Sequence, residues 1–292
     1  MYEPTGYHWR VAGLPFSILF ALLFSITILI WRVGFFHEPF SEFQPEKKEI
    51  SEPASGKENA AVLPAPKKLF EYIEVTGGCG PHFEGECLNA RSGPGAEYPS
   101  VMKLRNGIVL KVGEKVERNG HAWYKIVFDE KIRYPERITT DWYISADYVR
   151  PLLDEGTREK KDPEKNASGQ RIIIDRSEQM LYAYDRNGLF MKTAISTGLE
   201  ATPTPRGLFS VFRKTPSRYM QGPIPDVSDQ FYDLPGVPWN LYFTYQGAAI
   251  HGTYWHENFG KQSSHGCVNL MPTEAQKLYN WAGVGTFVIV QD

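Results

Sequence analysis

Between Arg10 and Trp31 the chain runs for twenty residues, Val11 to Ile30, without one charged side chain. At the helical rise of about 1.5 Å per residue such a run spans about 30 Å, the thickness of a bilayer's hydrocarbon core. It has no polar face, so it does not suit an amphipathic helix lying on a soluble core. It is longer than the apolar core of a signal peptide, and no small-x-small cleavage site comes after it. Pro15 falls near its start, where a first helical turn tolerates proline. The expectation is an uncleaved single-pass transmembrane helix over residues 11–31, preceded by a short tail, 1–10. One arginine stands on each side, Arg10 and Arg32, so flanking charge does not set the orientation.

Beyond the apolar run the chain divides by composition. Residues 32–68 are rich in Pro, Glu, Lys, Ser and Ala from Ser41 on and read as a disordered tether. Residues 69–151 carry short apolar and aromatic runs broken by Asn106-Gly107 and Asn119-Gly120, the pattern of a small all-β unit. Residues 152–169 are charged again and read as a second linker. Residues 170–292 resume a β pattern: Ile172–Ile174, Met180–Tyr184, Leu208–Phe212, Leu241–Tyr245 and Phe287–Val290. A helix is expected over Thr273–Trp281, capped by Thr273 and stopped near Gly283. A chain of 292 residues, 42% hydrophobic, can bury a core in each unit. A net charge of −2 argues against nucleic acid as a partner.

Reactive side chains are concentrated near the C-terminal end. His251, His256 and His265 lie within 17 residues of one another and of Cys267. A thiol is a good nucleophile only as the thiolate, and a neighbouring imidazole provides for that. In one reading Cys267 is a nucleophile with His251 or His265 as its base. In a second, the three histidines and Cys267 hold zinc, although only His251 and His256 have the close spacing of a zinc pair. In a third, Cys267 is a buried structural residue. Gly266 favours the first, since it lets the backbone turn tightly and present N–H groups to a carbonyl oxygen. Ser264 and Asn269 are small polar groups able to fix the loop.

The run Ser264-His265-Gly266-Cys267-Val268-Asn269, with His251-Gly252 upstream, resembles the signature of the L,D-transpeptidases with a YkuD-type catalytic domain. Ser196-Thr197-Gly198, the segment Thr202–Gly207 and Phe209 resemble that family's upstream segment, so the resemblance covers about Gln170–Asp292. It implies a β-sandwich-like domain in which Cys267 accepts the acyl group. It also implies that His251 is the general base, that His265 shapes the site or shares the proton work, and that the N–H groups of Gly266 and Cys267 lie at the oxyanion hole. Tyr254, Trp255 and His256 become candidates for substrate contact. The implied substrates are peptidoglycan stem peptides, with no metal or organic cofactor and with carboxypeptidase activity if water replaces the acceptor amine. The enzyme would then be membrane-anchored, with its catalytic part outside the cell. A zinc-dependent wall hydrolase and a non-catalytic wall-binding protein are the alternatives.

The middle unit has its own resemblance. Leu88–Gly95, with Trp123-Tyr124-Lys125, Trp142-Tyr143-Ile144 and Tyr148-Val149, resembles bacterial SH3-like domains, which implies a small β-barrel that binds wall peptides or acts as a spacer. Cys79 and Cys87 stand near its start. A disulfide between them suits an oxidising compartment and leaves Cys267 as the odd thiol; two ordinary thiols in a loop are the other reading.

Overall fold

Alternating buried and open side chains mark several of the strands among the described residues, β-runs such as Leu88–Arg91, Arg171–Asp175 and Phe287–Gln291. The computed structural model describes residues 66–128, 132–161, 169–224 and 228–292. The expected tail 1–10, the apolar run 11–31 and all but the end of the tether 32–68 lie outside the described residues. Among the described residues no helix is long and apolar enough to cross a membrane. Leu63–Asp292 forms one compact unit.

Its first part comprises β1 (Phe70–Val75), β2 (Leu88–Arg91), β3 (Ser100–Leu104), β4 (Val109–Arg118), β5 (His121–Val127), β6 (Tyr143–Ser145) and β7 (Val149–Asp154). They form one sheet in the order β3-β2-β6-β5-β4-β1-β7. Asn119 and Gly120 both have positive φ, 50° and 79°, the conformation that a two-residue hairpin between β4 and β5 requires. Ile73, Val75, Leu104, Ile108, Ile126 and Ile144 fill the interior.

The second part comprises β8 (Arg158–Glu159), β9 (Arg171–Asp175), β10 (Met180–Asp185), β11 (Gly188–Ala194), β12 (Gly207–Ser210), β13 (Arg213–Ile224), β14 (Ser228–Tyr242), β15 (Ala249–Gly252), β16 (Val268–Leu270), helix α1 (Pro272–Trp281) and β17 (Phe287–Gln291). Two five-stranded sheets result, β11-β10-β9-β17-β12 and β16-β15-β14-β13-β8, in a mainly β, sandwich-like arrangement. In β9, β10 and β17 every second residue is buried: Ile172 and Ile174, Leu181 and Ala183, Val288 and Val290. Those residues share a core with Ile250, Val268, Leu270, Leu278 and Tyr279.

Three local expectations are corrected. The run Leu208–Phe212 is not one strand: β12 ends at Ser210 and the chain crosses to the other sheet, with the Val211 N–H on Thr286 and the Phe212 N–H on Tyr242. Thr273 does not cap α1; the helix begins at Pro272, whose fixed φ suits a first position, and Met271 makes no side-chain cap. The charged segment 152–161 is ordered. Leu152–Asp154 completes β7, and Arg158–Glu159 pairs with β13. Its charge is satisfied locally. Arg158 binds Asp154 at 3.1 Å and the Tyr279 hydroxyl at 2.6 Å, and buried Lys214 donates to the Tyr279 and Ala282 carbonyls at the end of α1.

The two parts share side chains. Tyr72 and Val109 of the first lie in the core of the second, while Tyr219, Val237 and Tyr254 of the second lie in the core of the first. The contact is close enough that a Cβ on Gly236 would stand 2.6 Å from the Val109 carbonyl oxygen, so only glycine fits there.

Candidate functional site

Two short parallel strands position the cysteine block. In the pairing of β15 with β16, Ile250 lies across from Val268 and His251 across from Asn269. One step back, Ala249 stands across from Cys267, which is joined to it by a backbone hydrogen bond to the sulfur. Because strand side chains alternate, Ala249, His251, Cys267 and Asn269 share one face of the sheet. Cys267 is half-buried and a free thiol.

The loop before it is held from within and from behind. The Ser264 hydroxyl donates to the Cys267 carbonyl at 2.5 Å and accepts from the Gly266 N–H at 3.2 Å. Gly266 has φ of 114°, which side chains rarely adopt. Its N–H is turned into the loop, onto the Ser264 hydroxyl. Behind the loop, Ser196 and Asn269 exchange backbone hydrogen bonds at 3.0 and 2.9 Å, and the Leu199 N–H reaches the Ser264 carbonyl at 2.9 Å. Thr204 Oγ1 accepts from the Gly198 N–H and donates to the Cys267 carbonyl at 3.4 Å. A Cβ on Gly198 would lie 2.1 Å from the Thr202 oxygen. Gln179 completes the backing: its amide bonds Thr197 at both ends, at 2.6 and 2.8 Å. Sequence reasoning did not single out Gln179, which lies in the turn between β9 and β10.

The three histidines have different situations. His251 is 2% exposed, and its Nδ1 lies 3.0 Å from the Gly252 carbonyl oxygen. That carbonyl can only accept, so Nδ1 carries the hydrogen and Nε2 keeps its lone pair. Burial pushes the His251 pKa down to about 4, a fall opposed by the Gly252 bond and aided by the charge of His256. His251 is thus neutral near pH 7. Burial also lowers His256, with a further push from His82, and lowers the exposed His265. His256 Nδ1 accepts from the Asn258 N–H at 3.1 Å, which leaves the hydrogen on Nε2, 2.8 Å from the Asn269 amide. The Asn269 oxygen otherwise has no partner, so the amide is best turned to accept that hydrogen. His256 therefore fixes Asn269. Burial raises the Cys267 pKa, opposed by the Ala249 hydrogen bond.

Of the three aromatic-loop residues, Trp255 has a ring contact with His251, the centroids 5.8 Å apart. Tyr254 is 4% exposed and donates to the Pro235 carbonyl at 2.6 Å, with the Arg105 guanidinium over its ring. That makes Tyr254 packing between the two parts, and His256 is buried behind the loop. Among the described residues no three His, Cys, Asp or Glu side chains converge as metal ligands. The first part also approaches. Cys79 and Cys87 are joined in a disulfide, and within their loop Phe83 packs on Arg105 at 4.0 Å.

Residues 169–290 match the family model of the L,D-transpeptidase catalytic domain, YkuD. No curated protein matches the chain. Among solved structures, a mutant of the L,D-transpeptidase of Enterococcus faecium is 26% identical, covering 42% of this chain and 50% of that one, with a TM-score of 0.39. The catalytic domain of the E. faecium L,D-transpeptidase is 27% identical over 43% of this chain and 99% of that one, with a TM-score of 0.38. An L,D-transpeptidase from Mycobacterium smegmatis is 21% identical over 62% and 93%, with a TM-score of 0.40. This chain spans half the length of the E. faecium mutant.

Proposed function

We propose, from the premise that residues 169–290 are a YkuD-type L,D-transpeptidase catalytic domain, that the protein is a membrane-anchored peptidoglycan L,D-transpeptidase working outside the cell. One observation carries the mechanism: His251 Nδ1 lies on the Gly252 carbonyl, which leaves the lone pair on Nε2, and His251 stands on the strand paired with the one that directly follows Cys267. With His251 held low and Cys267 held high by burial, the resting pair is thiol and neutral imidazole, not an ion pair.

In the first transfer Nε2 takes the thiol proton as sulfur attacks the carbonyl carbon of an L,D peptide bond. The Cys267 N–H stabilises the oxyanion. The C–N bond breaks, His251 returns the proton to the departing nitrogen, and the terminal D-residue leaves, with a thioester on Cys267. In the second transfer an acceptor amine attacks the thioester and gives a proton to Nε2; the C–S bond breaks and the thiol is restored. Water in place of the amine makes the same site a carboxypeptidase. His265, exposed beside the cysteine, takes a secondary role. The first part acts as an SH3-like barrel that binds or spaces the wall, and residues 11–31 and 32–68 act as anchor and tether. Incubation with defined muropeptides tests this: cross-linked dimers and released D-residue should appear in mass spectra. Unchanged muropeptides, with the protein folded, would contradict it.

A further inference from the structure

The first part meets the second near the reactive pair through the segment after β5. Trp255, which packs beside His251, belongs to a cluster with Met220 and Leu234 of the β13–β14 hairpin and with Phe128 and Ile132. Two pairs further along the hairpin, Gly222 faces Tyr232. A Cβ on Gly222 would stand 2.8 Å from the Tyr232 hydroxyl and 3.0 Å from Arg133 Nη1, so guanidinium and phenol lie side by side over a glycine. The segment is pinned just after Arg133's position. The Tyr134 N–H reaches Gln221 at 3.3 Å, the Tyr134 ring meets Phe231 edge-on at 5.1 Å, and Arg137 pairs with Asp233 at 3.5 Å. Arg137 has its carboxylate, whereas Arg133 stands exposed with its ring contact to Tyr134 and no ion pair among the described residues.

An acyl donor cleaved at an L,D bond always brings one charge close to the reaction: the α-carboxylate of the departing D-residue, two bonds from the scissile nitrogen. Resting on the acyl-transfer reading above, we propose that Arg133, supplied by the first part of the chain, binds this carboxylate beside Tyr232 and makes the enzyme specific for donors with a free C-terminal D-residue. Burial raises Tyr232, and Arg133, which also hydrogen-bonds the phenol, opposes that rise. A planar fork of donors suits a carboxylate better than a point charge does.

The test compares acylation of the full chain by a stem tetrapeptide and by the same peptide ended as a carboxamide. The wild type should prefer the carboxylate by about 10-fold to 100-fold in kcat/KM, mainly through KM, the range of a charge-assisted hydrogen bond. Arg133→Ala should bring the carboxylate down to the carboxamide rate and leave the carboxamide rate unchanged; Arg133→Lys should keep part of the preference. Equal losses on both peptides, or a wild type with no preference, would overturn the proposal alone. Failure of the wild type to be acylated by either peptide would overturn the acyl-transfer reading and the proposal together.

Discussion

The two loops that carry cysteine differ in how each is held. The Cys79–Cys87 loop is closed covalently and sits on a sheet whose strands pair antiparallel. The Cys267 loop has no covalent closure. It is held by Ser264, by Thr204 and by the exchange between Ser196 and Asn269, and it enters a parallel pair with β15. The Cys267 loop is thus braced by its own Ser264 hydroxyl, by the Thr204 hydroxyl and by the backbone of Ser196. The Cys79–Cys87 loop closes on itself.

The largest effect is expected at the histidine on the strand that pairs with the end of the Cys267 loop. His251→Ala should lower turnover by roughly 10²–10⁴-fold, the range of a positioned general base. His265→Ala should cost much less. Steady-state rates on folded variants decide it, and the reverse order would mean that exposure, not burial, marks the base.

Acidity probes the same histidine. His251 binds its proton at about pH 4 when folded and near 6.5 when unfolded, so the unfolded chain takes up more protons between those values. The stability that goes with the neutral ring is complete above pH 6.5 and is lost as pH falls towards 4. The loss is about 3 kcal/mol. Urea melts across that window should show it, and His251→Gln should flatten the slope. A slope unchanged in the variant would contradict a buried neutral histidine.

The covalent loop should behave in the opposite sense. Replacing both Cys79 and Cys87 by serine should cost about 2–3 kcal/mol of stability, as expected for so short a loop. Below the lowered melting point catalysis should persist. Inactivity of the folded double variant would mean that the bridge, through Phe83 and Arg105, also shapes the site.

The sequence was most legible where chemistry is compressed. Ser264–Asn269 and His251-Gly252 announce the domain that the family match finds, and the two-residue periods of β9, β10 and β17 announce its mainly β fold. The parts that stayed hidden depend on distant partners. The β13–β14 hairpin carries Pro216, Pro223, Pro235 and Pro238, which read as strand breakers, yet it pairs through bulges while packing on the first part. Arg158 falls in the stretch that reads as a charged linker, and only Asp154 and Tyr279 show why it is ordered. Gln179 and Thr204 are ordinary residues until the cysteine loop folds against them.

The most direct measurement is the intact mass of the full chain mixed with a stem tetrapeptide in the absence of an acceptor. The account predicts a gain equal to the peptide less its terminal D-residue and the elements of the bond exchanged, mapped to Cys267 and absent from Cys267→Ala. An adduct on another residue, or one that survives in Cys267→Ala, would contradict it.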